Sequence, residues 1–147
     1  MSDNTDAEIL RLLLEHLKDT NFEDPKIRIS LPAVKFTPDV DHAYVAARYL
    51  PNKTETPFIG VASSAVFTGE LRVTVHAPAL RGEFYARELA AKLICHFKRG
   101  TRLEGCELLV RINHRPWQAN AFTAADRVSI PVSIPYYSTK SYKEIDL

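Results

Sequence analysis

An excess of charge of either sign is what this chain most lacks: 19 Lys and Arg stand against 18 Asp and Glu over 147 residues, a formal net charge of +1. Such a balance supplies no long-range field to draw in a polyanion, and no basic excess gathers as it does in a dedicated nucleic-acid binder. Cysteine is scarce as well, Cys95 and Cys106 being the two thiols. With 46% hydrophobic residues, one core can be buried without staples, which argues against a disulfide framework and for a reducing compartment. No apolar run approaches the ~20 residues that span a bilayer, and no basic-apolar-small leader opens the chain. A soluble protein made in the cytoplasm, with no membrane partner, is the expectation. Asn52-Lys53-Thr54 then spells a glycosylation acceptor without the secretion route that would use it.

Chemistry-bearing constellations are missing too. Neighbours on a helix point about 100° apart, so Cys95-His96 cannot form a thiolate-imidazole pair by adjacency. Cys106 with His76 or His114 matches no compact zinc spacing. Asp39, Asp41 and His42 lie in one solvated turn after Pro38, which offers neither the coordination number nor the supporting shell of a metal site. Lys98, Arg99 and Arg102 could meet a phosphate, but a basic helix end before Gly100 already accounts for them. Trp117, in His114-Arg115-Pro116-Trp117, is expected to cover the core edge where a strand exits into a loop. No catalytic residue, cofactor or metal is therefore expected.

Periodicity is what the chain does have. Leu10, Leu13, Leu14 and Leu17 recur at helical spacing over about residues 5–19, with Arg11, Glu15 and Lys18 opposite, Asn4 or Thr5 available as a cap, and Asp6 and Glu8 in the first turn. A second helix is predicted over about 82–98, burying Ala86, Leu89, Ala90, Leu93 and Phe97, with Ile94 at the border and Pro78 and Gly82 at its entrance. Strand-like alternation marks Lys26 to Ser30, Tyr44 to Tyr49, Glu70 to His76, Leu108 to Asn113 and Val128 to Tyr136. Pro131 and Pro135, four apart, drop their amides from the same lateral side, so the last strand is either an edge or has an interrupted neighbour there. The stretch from Leu50 to Ser64 reads as a long connection and the first candidate docking element.

Consecutive strands favour antiparallel pairing. The expected fold is α+β, two helices packed on one face of a mostly antiparallel four- to five-stranded sheet. One domain is expected over 1–137, with a polar arm over 138–147. Repeats and low-complexity segments are absent.

Leu31-Pro32-Ala33-Val34-Lys35-Phe36-Thr37-Pro38 before a tyrosine-bearing strand, Phe67-Thr68-Gly69-Glu70-Leu71-Arg72-Val73-Thr74-Val75-His76-Ala77-Pro78, the helix end at Phe97-Lys98-Arg99-Gly100-Thr101, and Val128-Ser129-Ile130-Pro131-Val132-Ser133-Ile134 together resemble the tail terminator-like proteins of long-tailed bacteriophages and prophages. The likeness covers about 5–137 and lies in the order and spacing of these segments. It implies a structural virion protein without catalytic residues, whose copies form a ring, typically of six, on the head-proximal end of the tail tube. There the ring would stop tube polymerisation and join the tail to the head connector, with assembly in the host cytoplasm. The implied partners are further copies of the chain, the tail tube protein and a connector or neck protein. DNA would pass through the ring without sequence-specific binding. The alternatives are another ring-forming neck or tail-completion protein and, in a different class, a small cytoplasmic enzyme or binding domain, which would need a pocket of converging titratable groups that the sequence does not offer. The open sheet face is the broadest surface left for contacts. Arg72, Thr74, His76, Arg111 and Asn113, with Lys53, Glu55 and Phe58 of the long connection, are the candidate contacts to a neighbouring subunit or the tube.

Overall fold

The computed structural model describes residues 4–55, 63–105 and 108–142. Helix α1 (Thr5–Lys18) is followed by β1 (Arg28–Ser30), β2 (Tyr44–Pro51) and β3 (Ser63–Pro78). A 3-10 turn (Ala79–Arg81) leads into α2 (Gly82–His96), then come β4 (Arg102–Glu104), β5 (Leu109–Arg111), β6 (Trp117–Gln118), β7 (Phe122–Ala124) and β8 (Arg127–Tyr142). The sheet runs β1-β2-β3-β8-β5-β4, with β6 and β7 also paired to β8.

The fold is α+β, but the sheet is not the four- to five-stranded, mostly antiparallel one expected: it has eight strands, is mixed, and curls into a half-barrel. Two physical reasons account for the difference. Strands β4, β6 and β7 are two or three residues long and, unlike the three-residue β1 and β5, lie in no longer run of alternating residues. Strand β1 pairs β2 in parallel, because residues 31–43 form a connection long enough to carry the chain back to the end from which β1 started.

Strand β3 pairs β8 without a break from Ser63 opposite Tyr142 to Pro78 opposite Arg127. Along β3, Leu71, Val73, Val75 and Ala77 are fully buried while Arg72, Thr74 and His76 alternate with them on the other face. Along β8, Ile130, Val132, Ile134 and Tyr136 are buried on the core side. The amide of Ala119 donates to the carbonyl of Pro131 at 2.8 Å. Pro131 and Pro135 therefore both turn away from β3, toward the side where β8's neighbour is split into β7, β6 and β5. The last strand is thus central rather than an edge, with its neighbour interrupted where amides are missing. Ser138 to Tyr142, expected at the start of an arm, continue β8, and Ser138 is buried with its Oγ donating to the Leu109 carbonyl at 2.7 Å.

The core joins both helices to the inner face of the sheet. Helix α2 buries Ala86, Leu89, Ala90, Leu93 and Ile94, with Phe97 just beyond its end. Helix α1 buries Ile9, Leu12, Leu13 and Leu17, while Leu10 and Leu14 sit at the margin, so its buried stripe is rotated from the one expected. Asn4 caps it through its backbone carbonyl, which accepts from Glu8 N, with no side-chain cap. The last turns of the two helices are clasped by histidines: His16 Nε2 lies 2.7 Å from the His96 carbonyl and His96 Nε2 2.6 Å from the His16 carbonyl, with the rings stacked 3.9 Å apart.

Gly69 is required by space. Its φ is +155°, and a Cβ there would meet the Leu50 carbonyl oxygen at 2.5 Å, Pro51 Cα at 2.8 Å and Tyr136 Oη at 2.8 Å. Gly100 also has a positive φ, +98°, but opens onto empty space. Gly69→Ala is expected to lower unfolding free energy by about 2–3 kcal/mol through strain and overpacking, against about 1 kcal/mol for Gly100→Ala. Urea denaturation of both variants checks the ordering.

Candidate functional site

The side of the sheet away from the helices collects the odd-numbered residues of β8 and the even-numbered residues of β2 and β3. Register then builds rows across it. Tyr44 faces His76, which faces Ser129, which faces Phe122; Arg48 faces Arg72, which faces Ser133, which faces Trp117. Farther along, Thr68 faces Tyr137, Tyr137 faces Arg111, and Arg111 faces Arg102. Thr74 lies between Ala46 and Pro131.

The structure thus puts Arg72, Thr74 and His76 on one strand of this face and Arg111 two strands away. Asn113 is exposed just beyond β5. Lys53 and Glu55 are exposed in a segment that keeps to the edge of β3, since Asn52 N donates to the Thr68 carbonyl at 2.9 Å and Glu55 bridges Val66. They stand at the same end of the face as Arg111. Phe58 lies outside the described residues. The long connection is also shorter than expected, because β3 begins at Ser63.

Arg72 pairs with Glu70 at 2.9 Å, and Ser133 Oγ donates to the same carboxylate. His76 Nδ1 is 2.7 Å from Ser129 Oγ and its ring stacks on Tyr44 at 4.7 Å. Arg127 lies over Tyr44 at 4.9 Å and donates to the carbonyls of His42 and Asp39. Arg28 lies over Phe36 at 4.6 Å and donates to Thr37 O at 3.1 Å. These contacts fasten the loop over 31–43 to the sheet, which is where Asp39 and His42 find their role. Trp117 is half exposed on this face instead of closing the core edge.

The His76–Ser129 hydrogen bond is the one histidine–hydroxyl pair on this face, but Ser129 is buried and no carboxylate among the described residues bonds to the ring, so no nucleophile constellation is assembled. Cys95 is exposed, while the His96 ring turns to the His16 carbonyl. Cys106 lies outside the described residues, and His76 and His114 belong to different elements. Among the described residues no group of three or more His, Cys, Asp or Glu could hold a metal ion. Nor is any helix among them long and apolar enough to cross a membrane.

The family model for the phage tail terminator protein matches residues 8–136. The chain belongs to that family, which makes it a structural protein of the phage tail. Among curated proteins nothing matches it. One solved structure, whose designation names no function, is similar at 21% identity over 97% of this chain and 100% of its own, with a TM-score of 0.76. At that identity the likeness concerns the fold.

Burial, and next the charge of Arg127, hold the His76 imidazole below its usual range. Burial is also the main cause at His96, where the His16 ring adds to it and the His16 carbonyl and Asp19 oppose it. Both rings are therefore kept neutral in the folded state, and the unfolded chain binds more protons once pH falls below about 6.5. Stability should be flat above that value and decline as pH drops through it toward the lowered folded values. Urea midpoints at neutral and mildly acid pH are expected to converge in the His76→Gln/His96→Gln double variant.

Proposed function

We propose that the protein is the terminator of a phage tail, closing into a ring, of six copies as the family resemblance implies, on the head-proximal end of the tail tube. There it halts tube polymerisation and offers a surface to the head connector, having assembled in the host cytoplasm. DNA passes through the opening without sequence-specific contact. The observation that carries this reading is the family match over residues 8–136. Compatible with it is a sheet face left free of helices, bearing Arg72, Thr74, His76 and Arg111, with Asn113, Lys53 and Glu55 beside it, as the surface that meets a neighbouring subunit or the tube.

A near-neutral subunit whose contacts mix polar and apolar groups should associate weakly, as a monomer when dilute and a ring when concentrated or seated on a tube. Light scattering across a wide concentration range, with negative-stain images of the concentrated sample, tests this. Strict monomers that fail to cap tail tubes would sink the reading. Arg72→Glu/Arg111→Glu is expected to stay folded by circular dichroism while capping of purified tubes weakens; normal capping by that variant would move the interface to the helices.

A further inference from the structure

The two faces of the sheet treat charge differently. Within the helices three of the four cations are neutralised inside the subunit: Arg11 pairs with Glu8 and Glu15, Arg87 with Glu83, and Lys92 with Glu23, while Lys18 makes no ion pair among the described residues. On the open face Arg48, Arg102 and Arg111 are exposed and make no ion pair among the described residues. Register makes this more pointed. Arg48 lies directly opposite Arg72, and Arg102 directly opposite Arg111, so two like-charge cross-strand pairs share one face. Such pairs are unfavourable in an isolated sheet, and Glu70 relieves only the first.

Composition separates the kinds of anion that could neutralise them. The only lysine within the described strands, Lys140, points to the helix side, where it reaches Thr5 Oγ1 at 3.2 Å. The open face presents arginine with half-exposed Trp117, and Tyr137 between the arginine rows. Arginine and aromatic residues on the strands, with Lys53 at the margin, are the composition of a protein-protein contact, whereas a nucleic-acid track uses lysine freely and a basic surplus that this chain lacks. The helices of a second copy are a poor source of the missing carboxylates, and its exposed Asp41, Glu55, Glu104 and Asp126 are scattered over separate loops and short strands. Of those on the helices, Asp6 accepts from Tyr49, and Glu8, Glu15 and Glu83 are paired with arginine, leaving Glu88.

We infer that the open face, through Arg48, Arg72, Arg102 and Arg111 with Trp117 beside them, docks a different protein that presents a carboxylate-rich surface. This rests on the reading of that face as an assembly surface and names the chemistry of its partner. In a ring, the helices and loops would then hold copy to copy.

The test uses the full chain and its single tryptophan. Fluorescence of Trp117 is titrated with poly-L-glutamate and, separately, with duplex DNA at equal charge concentration and the same salt. Wild-type protein should bind polyglutamate the tighter of the two, with affinity falling as salt rises. Arg48→Gln/Arg102→Gln/Arg111→Gln should bind it at least tenfold more weakly, with unchanged circular dichroism and a Tm equal to or above wild type, because like-charge pairs have been removed. Unchanged polyglutamate binding in the variant overturns the proposal, as does a lowered Tm, which would mean the arginines serve the fold. Tighter binding of DNA would assign the face to phosphate instead. Mass by light scattering tests the remaining occupant, a second copy: self-association of the variant should match wild type, and its loss would overturn the proposal by making this face a contact between copies. Failure of wild-type chains to form rings would count against the terminator reading alone, since polyglutamate binding is measured on monomers.

Discussion

The unbroken pairing of β3 with β8 is the constraint from which the rest of the structure follows. Sixteen residues of each strand face one another, a ribbon about 50 Å long at a strand's rise per residue. Such a ladder joins residues far apart in sequence, so its loop-closure cost must be met by what it buries. Leu71, Val73 and Val75 opposite Ile134, Val132 and Ile130 supply that burial, every one of them fully sequestered. On β8's other side Pro131 and Pro135 withhold amides, so no continuous partner can form there. The chain satisfies that side in pieces, with β7, β6 and β5, and the interruptions let the sheet curl around α2. Proline thus directs the long strand's good edge toward β3.

Surface charge answers to a different requirement. Exposed ion pairs contribute little to stability, typically below about 1 kcal/mol, and an exposed like-charge pair costs on the same small scale. The core can therefore tolerate Arg48 beside Arg72 and Arg102 beside Arg111. Tolerance explains how these residues persist without unfolding the subunit, but not why like-charged arginines face one another across strands on one face. A contact outside the subunit, as proposed for this face, would account for the difference.

How much of this was legible in the sequence depended on period and length. Helix α2 could be read almost residue for residue, because Ala86, Leu89, Ala90, Leu93 and Phe97 leave one solution at helical spacing. In α1 six apolar residues crowd from Ile9 to Leu17, and the stripe through Leu10 and Leu14 fits the period as well as the true one through Ile9 and Leu12; only packing against the core decides. β2, β3 and β8 announce themselves by length, and the three-residue β1 and β5 by lying in longer alternating runs, while β4, β6 and β7 have no such run, and the parallel entry of β1 depends on where the loop over 31–43 leads. The proline spacing identified the weak side of β8 but not whether that side was empty or interrupted. Alternation put Arg48 on the face of Tyr44 and Ala46, yet cross-strand register is a long-range fact, so its position opposite Arg72 was invisible. Trp117 was misread for a related reason: its exposure depends on a two-residue strand set by the Ala119–Pro131 bond.

The likeness in fold at 21% identity and a TM-score of 0.76 fits this division between core and surface. Core positions require apolar side chains of suitable volume at the right alternation, and many combinations satisfy that. A ladder as long as β3–β8 holds the architecture through backbone hydrogen bonds, which are indifferent to the outward side chains. Those outward positions are then free to follow whatever neighbour a given subunit meets. In a protein whose family is structural, chemistry is therefore to be sought where the backbone is most regular and the side chains least constrained by it. The open face of β2, β3 and β8 is that place, and its arginine pairs are the part of the molecule that the fold alone does not explain.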